Sequence, residues 1–232
     1  ETTSEEYTIT YDSAGGSAVA SITAAAGAPL TAPSDPTKTG YTFNGWNPAF
    51  PATMPGSDQT LTAQWTANTV TVNFDAQGGG PAPATASVTY DAAYGALPVV
   101  SKTGHTFAGW YTAASGGAEI TAATIVQNAA THTLYAQWTV KKYTITFDSA
   151  GGSALASITQ DYGTPLIAPA NPTRSGHIFI GWSPALPATM PANDLTLVAQ
   201  WRVRSSGSGT SSTSTEISDP DTPEEESPWF ID

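Results

Sequence analysis

Tyr7-Thr8-Ile9-Thr10-Tyr11-Asp12-Ser13-Ala14-Gly15-Gly16-Ser17-Ala18 returns almost unchanged as Tyr143-Thr144-Ile145-Thr146-Phe147-Asp148-Ser149-Ala150-Gly151-Gly152-Ser153-Ala154. The offset of 136 residues holds without a gap for Trp46, Met54 and Trp65, which recur as Trp182, Met190 and Trp201. Self-similarity on this scale marks an array of structural units, so it takes precedence over any local reading. A diverged copy lies between the two, opening at Val70-Thr71-Val72-Asn73-Phe74-Asp75 and closing at Thr133-Leu134-Tyr135-Ala136-Gln137-Trp138. The unit is therefore roughly 60 to 70 residues long and present three times.

Within a unit the periodicity is that of strands. Tyr7, Ile9 and Tyr11 share one face and Thr8 and Thr10 the other, and Leu61, Ala63 and Trp65 alternate in the same way at the end of the copy. The pairs Gly15-Gly16, Gly78-Gly79 and Gly151-Gly152 follow Asp12, Asp75 and Asp148, where a hairpin-like turn needs backbone freedom. The first two strands are expected to pair antiparallel. In Ala32-Pro33-Ser34-Asp35-Pro36-Thr37-Lys38-Thr39-Gly40, two prolines exclude a long helix or a central strand and leave room for one helical turn at most. The expected class is mainly β, a small α+β unit with at most short helical turns.

Composition agrees. With 21 Gly, 18 Pro and 11% charged residues, the chain of 232 residues is no long-helix protein, and no apolar run reaches the ~18 residues of a membrane-spanning helix. A net charge of -12 with no cluster of basic residues repels a phosphate backbone, so nucleic acid is excluded as a partner. The absence of Cys removes disulfides, thiol catalysis and zinc-thiolate sites. Glu1 to Glu6 carries neither the basic nor the apolar region of an export signal, as expected of a mature or excised segment.

Units this small need large apolar side chains to bury. Of 23 aromatic residues only Trp229 and Phe230 fall outside the repeats. Trp46 and Trp65, Trp110 and Trp138, and Trp182 and Trp201 are read as paired core residues of the last two strands, with a sugar-stacking platform as the alternative. Short joints, Thr66 to Thr69 and Thr139 to Lys142, connect the units. From Ser205 onward the composition turns to Ser, Gly and Thr, then to seven acids without a base, which reads as a disordered acidic tail. The divisions are an N-terminal segment 1–6, repeats 7–66, 67–140 and 141–204, and the tail 205–232.

Gly40-Tyr41-Thr42-Phe43-Asn44-Gly45-Trp46, Gly104-His105-Thr106-Phe107-Ala108-Gly109-Trp110-Tyr111 and the Thr-Leu-x-Ala-Gln-Trp endings resemble the internalin B-repeat family, also called the Listeria/Bacteroides repeat. The resemblance runs over about residues 5 to 203. It implies β-grasp-like modules of exported bacterial surface proteins, located outside the cell and used as stalks or in adhesion, with no catalytic residues to carry over. The middle copy, with its loop from Trp110 to Gly117, is nearest the family's common form; the outer copies carry Pro-Ala-Thr-Met-Pro instead. The tail ending Pro228-Trp229-Phe230-Ile231-Asp232 looks like the lead-in to S-layer homology modules.

A search for chemistry finds little. His105 and His177 occupy the aromatic slot of Tyr41, and His132 is expected in a solvated loop before the last strand. Asp12, Asp75 and Asp148 stand one to a turn, which suits an Asx-turn and not a calcium loop. No Ser lies in a nucleophile elbow, and Gly78-Gly79-Gly80 lacks the rest of a phosphate loop. Lys141-Lys142 is the one basic pair and reads as a solvated joint, with contact to an acidic wall polymer as the alternative; Lys38 and Lys102 lack the Asn and acid partners of an intramolecular cross-link. No cofactor or metal is expected.

The sequence thus points to a non-catalytic spacer on a bacterial cell surface. Its rival is an adhesin that binds a glycan or a surface protein through Asn47 to Asp58 or Trp110 to Ile120, with Phe50 and Tyr111 as contact residues. A third reading is self-association, with Trp229 and Phe230 of the tail docking on a strand edge of another copy.

Overall fold

The computed structural model describes residues 5–205. They form thirteen strands and no helix, arranged as three sheets that follow one another along the chain. The first repeat holds β1 (Glu6–Asp12), β2 (Ile22–Ala25), β3 (Tyr41–Asn47) and β4 (Gln59–Ala67). The second holds β5 (Thr69–Asp75), β6 (Ala86–Thr89), β7 (His105–Tyr111), β8 (Glu119–Ile120) and β9 (His132–Val140). The third holds β10 (Lys142–Asp148), β11 (Ile158–Asp161), β12 (His177–Ser183) and β13 (Leu195–Val203).

The sheet orders are β2-β1-β4-β3, β6-β5-β9-β7-β8 and β11-β10-β13-β12. In each, the first strand pairs antiparallel with the second and parallel with the last, as in Tyr7 opposite Ala24 and Tyr11 opposite Leu61. A parallel central pair flanked by antiparallel edges is the β-grasp order. The crossover that a β-grasp fold makes with a helix is here the extended, proline-rich connection, because Pro33 and Pro36 withhold the N–H groups a helix would need. Not even a single helical turn forms there among the described residues.

Burial follows the alternation. Ile9, Leu61 and Ala63 are at most 3% exposed in the first repeat, and Ile145, Leu197 and Ala199 match them in the third. Three hydrophobic cores result, each built from residues of one repeat only. Met54 and Met190, from the Pro-Ala-Thr-Met-Pro segments, are buried in the outer cores. The Met54 N–H donates to the carbonyl of Ala28 and its carbonyl accepts from Gly27, both at 2.8 Å. The Asn47 to Asp58 segment is thereby folded down onto its own repeat instead of standing out as a loop.

The tryptophans differ from the expected buried pairs. Trp110 is 2% exposed, whereas Trp46, Trp65, Trp138, Trp182 and Trp201 are half-buried. The two indoles of a repeat meet through a phenyl ring: Phe43 lies 5.3 Å from Trp46 and 5.4 Å from Trp65. Phe107 and Phe179 do the same in the other repeats. A β-bulge in β3, β7 and β12 makes this possible by shifting the register between Phe43 and Trp46 and at the matching places. The glycine in each bulge, Gly45, Gly109 or Gly181, takes a positive φ that other residues avoid.

Candidate functional site

Two local constructions recur in all three repeats. The first ties the last strand to the first turn. Asp12 accepts the Ala14 N–H at 2.9 Å, the Asx-turn expected from sequence, and Asp75 and Asp148 act likewise on Gln77 and Ala150. The Trp65 indole N–H donates to the Ser13 carbonyl at 3.0 Å, and Trp138 and Trp201 reach Ala76 and Ser149 in the same way. The indole lies so close over Gly16 that a Cβ there would stand 2.5 Å from Trp65 Cζ2. This close approach, and not only turn flexibility, is what the second glycine of each pair serves. A cation closes the turn from the other side: Lys38, Lys102 and Arg174 donate to the carbonyls of Ala14, Gln77 and Ala150.

The second construction joins one repeat to the next. One residue separates β4 from β5, Asn68, and one separates β9 from β10, Lys141. The four-residue joints read from sequence are thus mostly strand, since Thr66, Thr69, Thr139 and Lys142 all sit in ladders. The Asn68 N–H donates to Gly40 O and its carbonyl accepts from the Tyr90 N–H, at 2.8 and 2.9 Å. Lys141 makes the same pair of bonds with Gly104 and Tyr162, both 2.9 Å. Backbone flanked on both sides in this way has little freedom to swivel.

Side chains complete the joint. The Tyr90 ring of the second repeat lies on Gly40 of the first, so near that a Cβ would meet it at 2.3 Å, and Tyr162 lies on Gly104 with 2.1 Å. Both glycines are buried and have φ of +79° and +71°. Tyr41 meets Tyr90 edge-on at 5.7 Å, and His105 meets Tyr162 at 6.0 Å. The Tyr41 hydroxyl also donates to Asp91 of the second repeat at 2.8 Å. That bond, together with some loss of hydration, raises the Tyr41 ionisation above its ordinary value of 10.0. In the third repeat Gly176 is exposed with no such ring on it among the described residues. In the first, Ala26 stands where Tyr90 and Tyr162 stand, and its N–H bonds Glu5 O at 3.3 Å.

The residues singled out from sequence are spread over these structures. His105 and His177 fill the aromatic slot as expected, each with Nδ1–H on a carbonyl 2.8 Å away. His132 is no solvated loop residue: it begins β9, half-buried, with Nδ1–H donating to Ala130 O at 2.9 Å. Its Nε2 is therefore the acceptor for the Tyr94 hydroxyl at 2.7 Å. Lys142 pairs with Asp161 at 2.9 Å at the exposed end of the β10–β11 ladder, while Lys141 belongs to the joint. Phe50 is half-buried against the first core, and Tyr111 is half-buried in β7 opposite Glu119 and Tyr135. These two are not brought together, since they lie in different repeats. Trp229, Phe230 and the rest of the acidic tail lie outside the described residues. Sequence reasoning missed Tyr90 and Tyr162, although both follow the second strand of a repeat that has a predecessor, 72 residues apart, like His105 and His177. Among the described residues no group of three His, Asp or Glu could hold a metal, and no helix is long and apolar enough to cross a membrane.

Comparison with known proteins accords with the threefold construction. Over 219 residues, 85% of this chain, the sequence is 29% identical to a protein of Evansella cellulosilytica named provisionally as a membrane protein. A second protein of that organism, named provisionally as a glycine-rich membrane protein, is 29% identical over the same length. Internalin H of Listeria monocytogenes is 38% identical over 144 residues, 58% of this chain. The matched regions span 32%, 24% and 25% of those three proteins, so all are much longer than the part they share with this one. The profile of the Listeria-Bacteroides repeat domain matches residues 7–69, 71–137 and 143–200, one span to each sheet, and the chain belongs to that family.

Proposed function

We propose that the chain is a non-catalytic spacer in a bacterial cell-surface protein, holding a neighbouring region at a set distance and orientation outside the cell. The joint between repeats carries this reading. A spacer must transmit orientation, and here a single residue bonded to both neighbours is backed by a tyrosine ring seated on glycine. Each repeat has its own core, so adding a unit lengthens the array without disturbing the others. The relatives' names, an internalin and two provisional membrane proteins, support a place at the cell surface.

The chain has no Cys, so spin labels can be placed at will. With Ser21→Cys and Asn193→Cys, both at exposed sites of the outer repeats, electron-electron resonance is expected to give one narrow distance distribution. Tyr90→Ala with Tyr162→Ala is expected to broaden it severalfold. A distribution that is already broad in the parent chain would contradict the spacer reading.

An adhesin that binds through the middle repeat is the second reading. It is favoured by the Thr112 to Ala118 loop, which only that repeat has and which Gln137 pins by donating to Ala113 O and Gly116 O at 3.1 and 2.7 Å. Self-association through Trp229 and Phe230 stays a proposal, tested by whether removal of residues 205–232 abolishes it.

A further inference from the structure

A groove of about 350 Å³ opens in the second repeat beside its joint with the third. One wall is common to all repeats: the turn with its cation and indole, here Gln77, Lys102 and Trp138. The other wall exists only in this repeat, where Ala114 and Ser115 of the pinned loop rise over the sheet. In the outer repeats the corresponding segment is anchored on the core by Met54 and Met190, and Gln64 and Gln200 bond carbonyls of their own strands instead. His105 closes the end of the groove against Tyr162 of the third repeat.

The chemistry of the lining is selective. No lining residue is acidic, although the chain as a whole carries a net charge of -12. Lys102 spends one N–H on Gln77 O at 2.9 Å, which leaves two of its three donors. His105 commits Nδ1–H to Thr103 O, so the neutral ring has Nε2 free as an acceptor. Ser115 adds a hydroxyl at the rim, and Gln137 keeps its carbonyl oxygen because only its NH2 is bound to the loop. A cation with donors and acceptors of both kinds, at the small end of the ~300–1,000 Å³ range of ligand sites, suits a ring bearing hydroxyls and one carboxylate.

We propose that this groove binds an acidic sugar residue, a uronic or sialic acid, through its carboxylate on Lys102 and its hydroxyls on Ser115, Gln137 and His105. The site is a loop feature added to one repeat; it rests on the reading that the middle repeat binds a ligand and does not depend on the spacer reading.

The test is an NMR titration of the full ¹⁵N-labelled chain with sodium glucuronate and sodium N-acetylneuraminate, with glucose as the uncharged control at matched ionic strength. Saturable shifts are expected at the Trp138 indole N–H and the Gln137 side-chain amide with at least one acid, weakening as salt is added. Lys102→Gln is expected to raise the half-saturation concentration about tenfold, as loss of a charge-assisted contact does. Because that change also loosens a turn, Asp75→Ala serves as the control: it removes the Asx bond to the Gln77 N–H from the same turn while keeping Lys102, and is expected to leave the half-saturation concentration unchanged. Ser115→Glu, at an exposed loop position, leaves the turn whole and is expected to abolish binding by placing a carboxylate in the groove. The proposal fails if neither acid gives saturable shifts, if glucose gives the same shifts, or if binding survives Ser115→Glu.

Discussion

At the scale of single residues, the three copies act as internal controls on one another. Tyr11 places its hydroxyl in the first core without a hydrogen-bond partner, whereas Phe74 and Phe147 hold the same position in the other repeats. An unsatisfied buried hydroxyl costs ~1–3 kcal/mol, so Tyr11→Phe is expected to stabilise the first repeat by about 1 kcal/mol, seen as a higher urea midpoint. Burial also raises the Tyr11 ionisation above 10.0. The raised folded-state value means that the neutral ring's contribution is complete below about pH 10 and is lost as pH climbs through the raised value. Tyr11→Phe is therefore expected to blunt alkaline unfolding of that repeat as well. A lower midpoint would show that the hydroxyl has a partner after all. None of this could be read from residue type, because Tyr and Phe fit a period-two pattern equally well. The Asx-turn was legible, since Asp followed by two small residues and a glycine pair has few other uses. The indole over Gly16 was not, for it joins residues 49 positions apart, Gly16 and Trp65.

At the scale of elements, the strands were legible and their ends were not. Alternation marked β1 and β4 because one face of each is buried, and the prolines of the connection ruled out a helix there. The Thr-rich joints resembled linkers because their side chains are polar, but polarity says nothing about backbone pairing in an edge or end position. Likewise Asn47 to Asp58 reads from sequence as a contact loop, although the recurrence of Met54 as Met190 carried the signal that the segment is pinned to the core at that one side chain. Of the two joints, the first has a titratable tie. Tyr41 donates to Asp91, and that bond holds its ionisation above 10.0. By the same sign argument the tie is complete below about pH 10 and is lost above it. The spin-label distance distribution between the first and second repeats is therefore expected to widen reversibly as the pH rises above 10. The joint between the second and third repeats, where His105 replaces Tyr41, is expected to show no such change. Asp91→Asn is expected to lower the pH at which the first joint loosens, and equal behaviour of both joints would contradict the assignment.

At the scale of the whole molecule, the threefold repeat and its family were legible because duplication leaves fixed offsets that survive divergence. What the array does as a body depends on whether its joints bend, and that is decided by contacts across repeats, which no single repeat's pattern encodes. Three separate cores, joints of one residue and rings seated on Gly40 and Gly104 are the grounds on which an extended string of three beads is expected. Small-angle X-ray scattering of the chain ending at Ser205, recorded behind size exclusion at two concentrations, tests this directly. A line of three beads gives a radius of gyration of roughly 25 Å, unchanged with concentration, and this is the result expected. A value near 17 Å, that of one compact body of the same length, would mean that the repeats fold back on each other and that the chain is not a spacer.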